Sequence, residues 1–179
     1  MQILFRANQS FMCEVREDLM RPHEFAEERV GFIAVRVAQG LNIFVLLAES
    51  YHPVSDADYL RDPSVGAMLG SEAIRKALEI ALFHPVGIIH VHMHFHSGEP
   101  RFSRTDLREQ PKFVPDFFKV RRTMPHGALV LSEDAAYGRV WLSSDQIVEI
   151  AEFNTVGKTL DIKMKSEANN WSEADERKA

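Results

Sequence analysis

The sequence predicts an α/β fold in which a mixed β-sheet packs against helices. Residues 30–37 and 42–48 are rich in Val, Ile and Phe on either side of Ala-Gln-Gly at 38–40, as in a hairpin. Residues 71–83 place Ile74, Ala77, Leu78, Ala81 and Leu82 at three- and four-residue spacing, the period of an amphipathic helix. The stretch 86–96 then alternates like a strand. Strands, helix and strand in that order describe a sheet covered by helices, not a pure bundle or sandwich.

Each element has its own start and stop signals. Ser71 is the expected N-cap of the helix, and Pro85 stands just past its end. After a loop, a short element around 113–118 precedes a second hairpin, 128–132 with 139–142. Gly and Pro are scattered and no repeat stands out, so residues 1–165 read as one domain. Residues 166–179 are polar, with Trp171 the only large apolar side chain, and read as a mobile C-terminal tail.

Composition narrows the function classes. The chain has 179 residues, about one domain's worth, and its 45% hydrophobic and 26% charged residues are ordinary for a globular protein. A net charge of −5 supplies no broad positive field for nucleic acid or anionic lipid. Cys13 is the single cysteine, which excludes an internal disulfide and any multi-cysteine zinc site and fits a reducing compartment. The opening Met-Gln-Ile-Leu-Phe-Arg lacks the pattern of a secretory signal, and the longest apolar run, 43–48, is far short of a membrane span. The expectation is a cytoplasmic protein with neither nucleic acid nor membrane as partner.

Four of the eight histidines occupy positions 90, 92, 94 and 96. Strand side chains repeat every two residues, so all four imidazoles are expected to face one way. Such a row is costly to bury unless hydrogen-bonded or coordinated, and neutral imidazole is the commonest metal ligand. Side chains two apart on a strand are roughly 6.6 Å apart, close enough to converge on one ion, whereas His90 and His96 lie roughly 20 Å apart on an extended strand. One His-x-His pair is therefore the expected chelate, and Asp106 in Phe102-Ser-Arg-Thr-Asp106 on the following loop is the expected carboxylate. Two histidines and one carboxylate leave a position open for water, as in catalytic zinc sites. Taken alone, Asp106 and Ser103 also read as local helix caps, and Glu28, in the run Glu24, Glu27, Glu28, as part of a solvated helix face.

Together these residues resemble the JAB/MPN (JAMM) metalloproteases, whose motif is a distant Glu, a His-x-His, seven residues and Ser-x-x-Asp. Here Ser103-Arg-Thr-Asp106 matches the last element and Glu28-Arg-Val-Gly31 the glutamate's strand entry, with the helix 71–83 leading into Val86-Gly87-x-x-His90. The register departs from the family. Eight residues separate His94 from Ser103 and six separate His96 from it, while counting from Val86-Gly87 puts the first histidine at His90. Lengthening a surface loop costs little, so His92 and His94 are taken as the pair, with His90 or His96 as substitutes or as groups orienting a ligand.

The resemblance, covering roughly residues 15–142, implies an MPN-like layered fold similar to cytidine deaminases. It also implies Zn2+ on His92, His94 and Asp106, with Glu28 as general base and Ser103 donating to the oxyanion. The implied reaction is hydrolysis of a peptide or isopeptide bond at the tail of a ubiquitin-like protein. Residues 94–103 and 125–132 are similar to bacterial members found beside ThiF-like ubiquitin-activating homologues, which makes such an activating enzyme a further expected partner. His126 is expected to be structural. Two other readings stay open: a cupin, with His92, His94, Glu99 and His126 as ligands, and a non-catalytic MPN-like scaffold. A metallo-β-lactamase pattern fails, since His96 and Ser97 fall where an aspartate and a histidine are required.

Overall fold

A strand buried on both faces needs apolar or otherwise satisfied side chains at every position. That demand identifies the centre of this molecule. The computed structural model describes residues 1–157 and the backbone of 160–164, so the tail expected over 166–179 lies outside the described residues. In chain order the first half contains β1 (Gln2–Asn8), α1 (Gln9–Leu19), β2 (Val30–Gln39), β3 (Ile43–Pro53), a 3-10 turn (Asp56–Asp58), β4 (Tyr59–Leu60), β5 (Met68–Leu69) and α2 (Ser71–Phe83). The second half contains β6 (Gly87–Met93), α3 (Arg104–Phe113), a second 3-10 turn (Val114–Asp116), α4 (Phe117–Val120), β7 (His126–Leu131), β8 (Ala136–Trp141), β9 (Ile147–Glu149), β10 (Glu152–Val156) and β11 (Leu160–Met164).

Nine of these strands form one sheet in the order β11-β10-β1-β3-β2-β6-β7-β8-β9, and β4 and β5 form a separate ribbon. The sheet is mixed. β1 runs parallel to both β3 and β10, and β6 runs parallel to β7, while the remaining neighbours are antiparallel. The parallel β6–β7 pair requires a crossover, which α3 and α4 supply. This is an α/β protein with a mixed sheet, and its parallel pairs and four helices do not fit the double-sheet barrel of a cupin. No helix among the described residues is long and apolar enough to cross a membrane.

Helices pack on both faces. On one, Met12, Val15 and Leu19 of α1 meet Ile33, Val35, Ile89, Val91, Leu129 and Leu131. On the other, Ala73, Ala77 and Ala81 of α2 meet Phe32, Ala34 and Ile88, with Phe117 closing the end. The α2 contact stripe is made of small side chains, which lets the helix axis come close to the sheet. Both clusters are apolar cores of the kind that stabilise by about 25 cal/mol for each Å² removed from water.

The helix 71–83 forms over the expected residues, but its N-cap is Gly70 and not Ser71. The cap must carry extended backbone, and Gly70 does so at ψ 162° while Ser71 is already helical. The strand expected over 86–96 ends at Met93. Its partner β7 ends at Leu131, so His94 N makes a last bond of 2.9 Å to Leu131 O before the chain turns. The turn passes through Gly98, whose φ of +90° few residues other than glycine adopt. The Glu24–Glu28 run is a loop and not a helix face.

Candidate metal centre

The site lies where three elements meet on the α2 side of the sheet. On β6, parity places Ile88, His90 and His92 on this side and Ile89, Val91 and Met93 on the α1 side. Ring centroids of the four histidines follow one another at 5.7, 5.0 and 6.1 Å, so they form a row even though the strand stops within it. His90 is buried between Phe32 and Phe113, and burial lowers its pKa to about 3. His96 is at the exposed end, with Nδ1 against Ser97 O at 3.0 Å.

His92 is the centre of the cluster. It is 1% exposed, and neither of its ring nitrogens has a hydrogen-bond partner. A buried polar group left unsatisfied costs about 1–3 kcal/mol, so a position of this kind calls for a ligand. Ligand atoms of His92, His94 and Glu28 all lie within 4.8 Å of one another. Glu28 Oε1 is 3.7 Å from His94 Nε2, and Asp106, the expected carboxylate ligand, lies outside that group with Oδ2 3.5 Å from His92 Nε2. Two imidazoles with two carboxylates close by are a nitrogen and oxygen donor set, which suits a borderline-soft divalent ion such as zinc.

Local chain geometry explains how each carboxylate arrives. Glu28 sits at the entry to β2, and Gly31 three residues later lies under the Tyr51 ring, where an added Cβ would come within 2.3 Å of Cε2. The glycine of Glu-x-x-Gly is thus a packing requirement of the strand entry. Asp106 is held by a capping box at the start of α3. Ser103 N and Ser103 Oγ both donate to Asp106 Oδ2, at 2.8 and 2.7 Å, and Asp106 N donates to Ser103 Oγ at 3.1 Å. The Ser103 proton is therefore committed to Asp106 in this structure. The capping reading and the site reading of these two residues describe one arrangement.

The two carboxylates are pushed in opposite directions. Burial raises Glu28 above the usual carboxylate range, reinforced by Asp106 and Glu27 and opposed by His92. Burial would raise Asp106 as well, but the His92 imidazole 3.5 Å away and the hydrogen bonds from Ser103 hold it well below that range. Asp106 is thus a permanent anion, and Glu28 is the better proton acceptor at neutral pH.

Histidine 126 stands apart from this cluster. Its Nδ1 accepts from Ile88 N at 3.1 Å, its Nε2 donates to Arg121 O at 3.0 Å, and the ring stacks on Phe117. Burial lowers its pKa to about 4 and keeps it neutral. Glu99, the carboxylate of the cupin reading, pairs with Arg101 at 2.9 Å. Two polar residues absent from the sequence reading also matter. Arg29 lies directly behind Glu28, and Gln110, one helical turn beyond Asp106, accepts from Arg139 Nε at 2.9 Å under α3. Gln110 was detectable through its four-residue spacing from Asp106, whereas Arg29 carries no local signal. A cavity of about 780 Å³ opens on the α1 side beside Met12, Arg16 and Ala136, and no histidine lines it.

Compared with known family models, the chain matches none, and no curated protein matches it.

Proposed function

We propose that this chain is a zinc-dependent hydrolase of the JAB/MPN (JAMM) type, cleaving a peptide or isopeptide bond at the C-terminal tail of a ubiquitin-like protein. The observation that carries this reading is the convergence of His92, His94 and Glu28 within 4.8 Å around a buried imidazole with no hydrogen-bond partner. The layered arrangement, with α2 leading into the histidine strand and Asp106 at the start of the next helix, supports an MPN-like fold.

In this reading His92, His94 and Asp106 hold Zn2+, and Glu28 is the general base. Zinc supplies Lewis acidity, polarising the scissile carbonyl and acidifying water. Glu28, with its raised pKa, accepts a proton from the attacking water and returns it to the leaving amine. Asp106 stays anionic because Ser103 donates two hydrogen bonds to it. Ser103 Oγ contributes to an oxyanion only if its hydrogen leaves Asp106 when substrate binds. The exposed, free Cys13 supports a reducing, cytoplasmic setting. The partners in this reading are the ubiquitin-like protein or its conjugate and a ThiF-like activating enzyme of bacterial type.

The test uses the full chain purified without chelator. The expected result is one zinc per chain and cleavage of a ubiquitin-like protein carrying a C-terminal extension. Glu28→Gln should lower the rate about 10²- to 10⁴-fold, the usual contribution of a positioned base, with zinc still bound. Full activity in Glu28→Gln would reject the assigned base, and absence of zinc would favour a non-catalytic scaffold.

A further inference from the structure

We propose that Arg29 and Asp56 form a clamp that positions Glu28, so that Arg29 serves the site without touching it. The inference rests on Glu28 being the proton acceptor of the proposed hydrolase. Its basis is the way residues 20–29 are held. This segment joins α1 to β2 and carries no ladder of its own, so a carboxylate at its end would wander unless something else fixed the backbone.

Arg29 does that fixing. Its side chain is 4% exposed, and its hydrogen-bond partners are Arg21, Pro22 and Asp56, none of them at the histidine cluster that Glu28 joins. Its guanidinium donates from Nε to Arg21 O at 2.8 Å and from Nη2 to Pro22 O at 2.9 Å. It also grips both oxygens of Asp56, from Nη1 at 2.7 Å and from Nη2 at 3.2 Å. The first two bonds close the segment on itself. The carboxylate pair ties it to the 3-10 turn.

From that turn a continuous set of bonds returns to Glu28. Tyr59 Oη, just after the turn, accepts from Val30 N at 2.8 Å. The turn continues through β4 and β5, and between these strands Gly66 O accepts from Glu27 N at 2.8 Å and Glu28 N at 3.2 Å. Asp58 is pinned to α2 by Lys76 at 2.7 Å. Residues 54–69 thus back the base on two sides, with Arg29–Asp56 at one end and Gly66 at the other. A planar, five-donor guanidinium can bridge two carbonyls and a carboxylate at once, which an ammonium cannot.

Asp56 is the side to perturb, since it is exposed and its change leaves the apolar cores intact. In full-length Asp56→Asn, amide exchange at Glu27 and Glu28 should accelerate while β6 and α2 keep their protection. In the zinc-loaded variant kcat should fall between about ten- and a hundredfold, the scale of a small misplacement of a reacting group. KM and zinc affinity should stay as in the parent. Asp56→Glu, which keeps the carboxylate, should recover most of the rate, and Arg29→Lys should not. Unchanged exchange and unchanged kcat in Asp56→Asn would overturn the clamp. So would a parallel fall in kcat and zinc affinity, which would mark a general structural role. If the parent neither binds zinc nor cleaves, the hydrolase reading fails on its own, and the exchange measurement still decides whether the clamp holds Glu28.

Discussion

The two sides of β6 have equal burial and opposite chemistry. Ile89, Val91 and Met93 face α1 and are wholly apolar, and they belong to one continuous cluster with Leu129, Leu131 and Val140. Ile88, His90 and His92 face α2 and α3, where apolar packing stops after the first residue and imidazoles take its place. A strand selected only to fill a core would carry aliphatic residues on both sides. Apolar burial stabilises one side of this strand, whereas on the other the buried His92 has no hydrogen-bond partner, and the proposed metal site rests on that difference.

The most decisive way to break the comparison is to make the two sides alike. His92→Leu replaces the orphaned imidazole with an apolar side chain. Zinc affinity should fall by more than the roughly hundredfold typical of losing an outer partner of a ligand. Urea unfolding of the zinc-free variant should occur at the same or a higher denaturant concentration, because the buried unsatisfied nitrogens are gone. The reverse experiment is Ile89→Ala on the apolar side. It should cost about 2–5 kcal/mol in urea unfolding, as large-to-small core changes do, and leave one zinc per chain.

Smaller changes sharpen the comparison at the carboxylates. Ser103→Ala removes a cap and one of the bonds holding Asp106, so thermal unfolding of the zinc-free chain should lose about 1 kcal/mol of stability. Titrated zinc should bind more weakly as well, while Ser103→Thr keeps both properties. The least effect concerns pH. The folded pKa of Glu28 lies above its ordinary value of 4.5, so its contribution to stability is complete below that value and is lost as pH rises through the folded one. Glu28→Gln should therefore melt at a higher temperature than the zinc-free parent at pH 7. The two should converge below pH 4.5, as a pair of calorimetric scans would show.

Much of this was legible in the sequence wherever local pattern decides structure. The helix expected over 71–83 formed over those residues as α2, although Leu82 of its apolar period is exposed, and the hairpin around 38–40 became β2 and β3 with longer arms. The alternation of 86–96 overran the strand by three residues, because sequence cannot show that β7 ends at Leu131 and leaves His96 without a ladder partner. β1 and α1 went unread. Met12, Val15 and Leu19 have helical spacing, but the charged residues between them mask it, and β1 is fixed by parallel neighbours far along the chain. At the site, residue types and spacing brought the histidine row and Asp106 into view, whereas Glu28 as a base and Ser103 as an oxyanion donor entered only through the resemblance to the JAB/MPN motif. The engagement of the Ser103 proton by Asp106 and the grip of Arg29 on Asp56 depend on three-dimensional placement, which no spacing encodes.

The most direct measurement is anomalous scattering at the zinc edge from crystals of the full chain grown with zinc. The account expects one peak per chain, about 2.0–2.2 Å from a nitrogen of His92, a nitrogen of His94 and an oxygen of Asp106, with Glu28 beside the open position. A peak elsewhere, or none in zinc-saturated crystals, would contradict it.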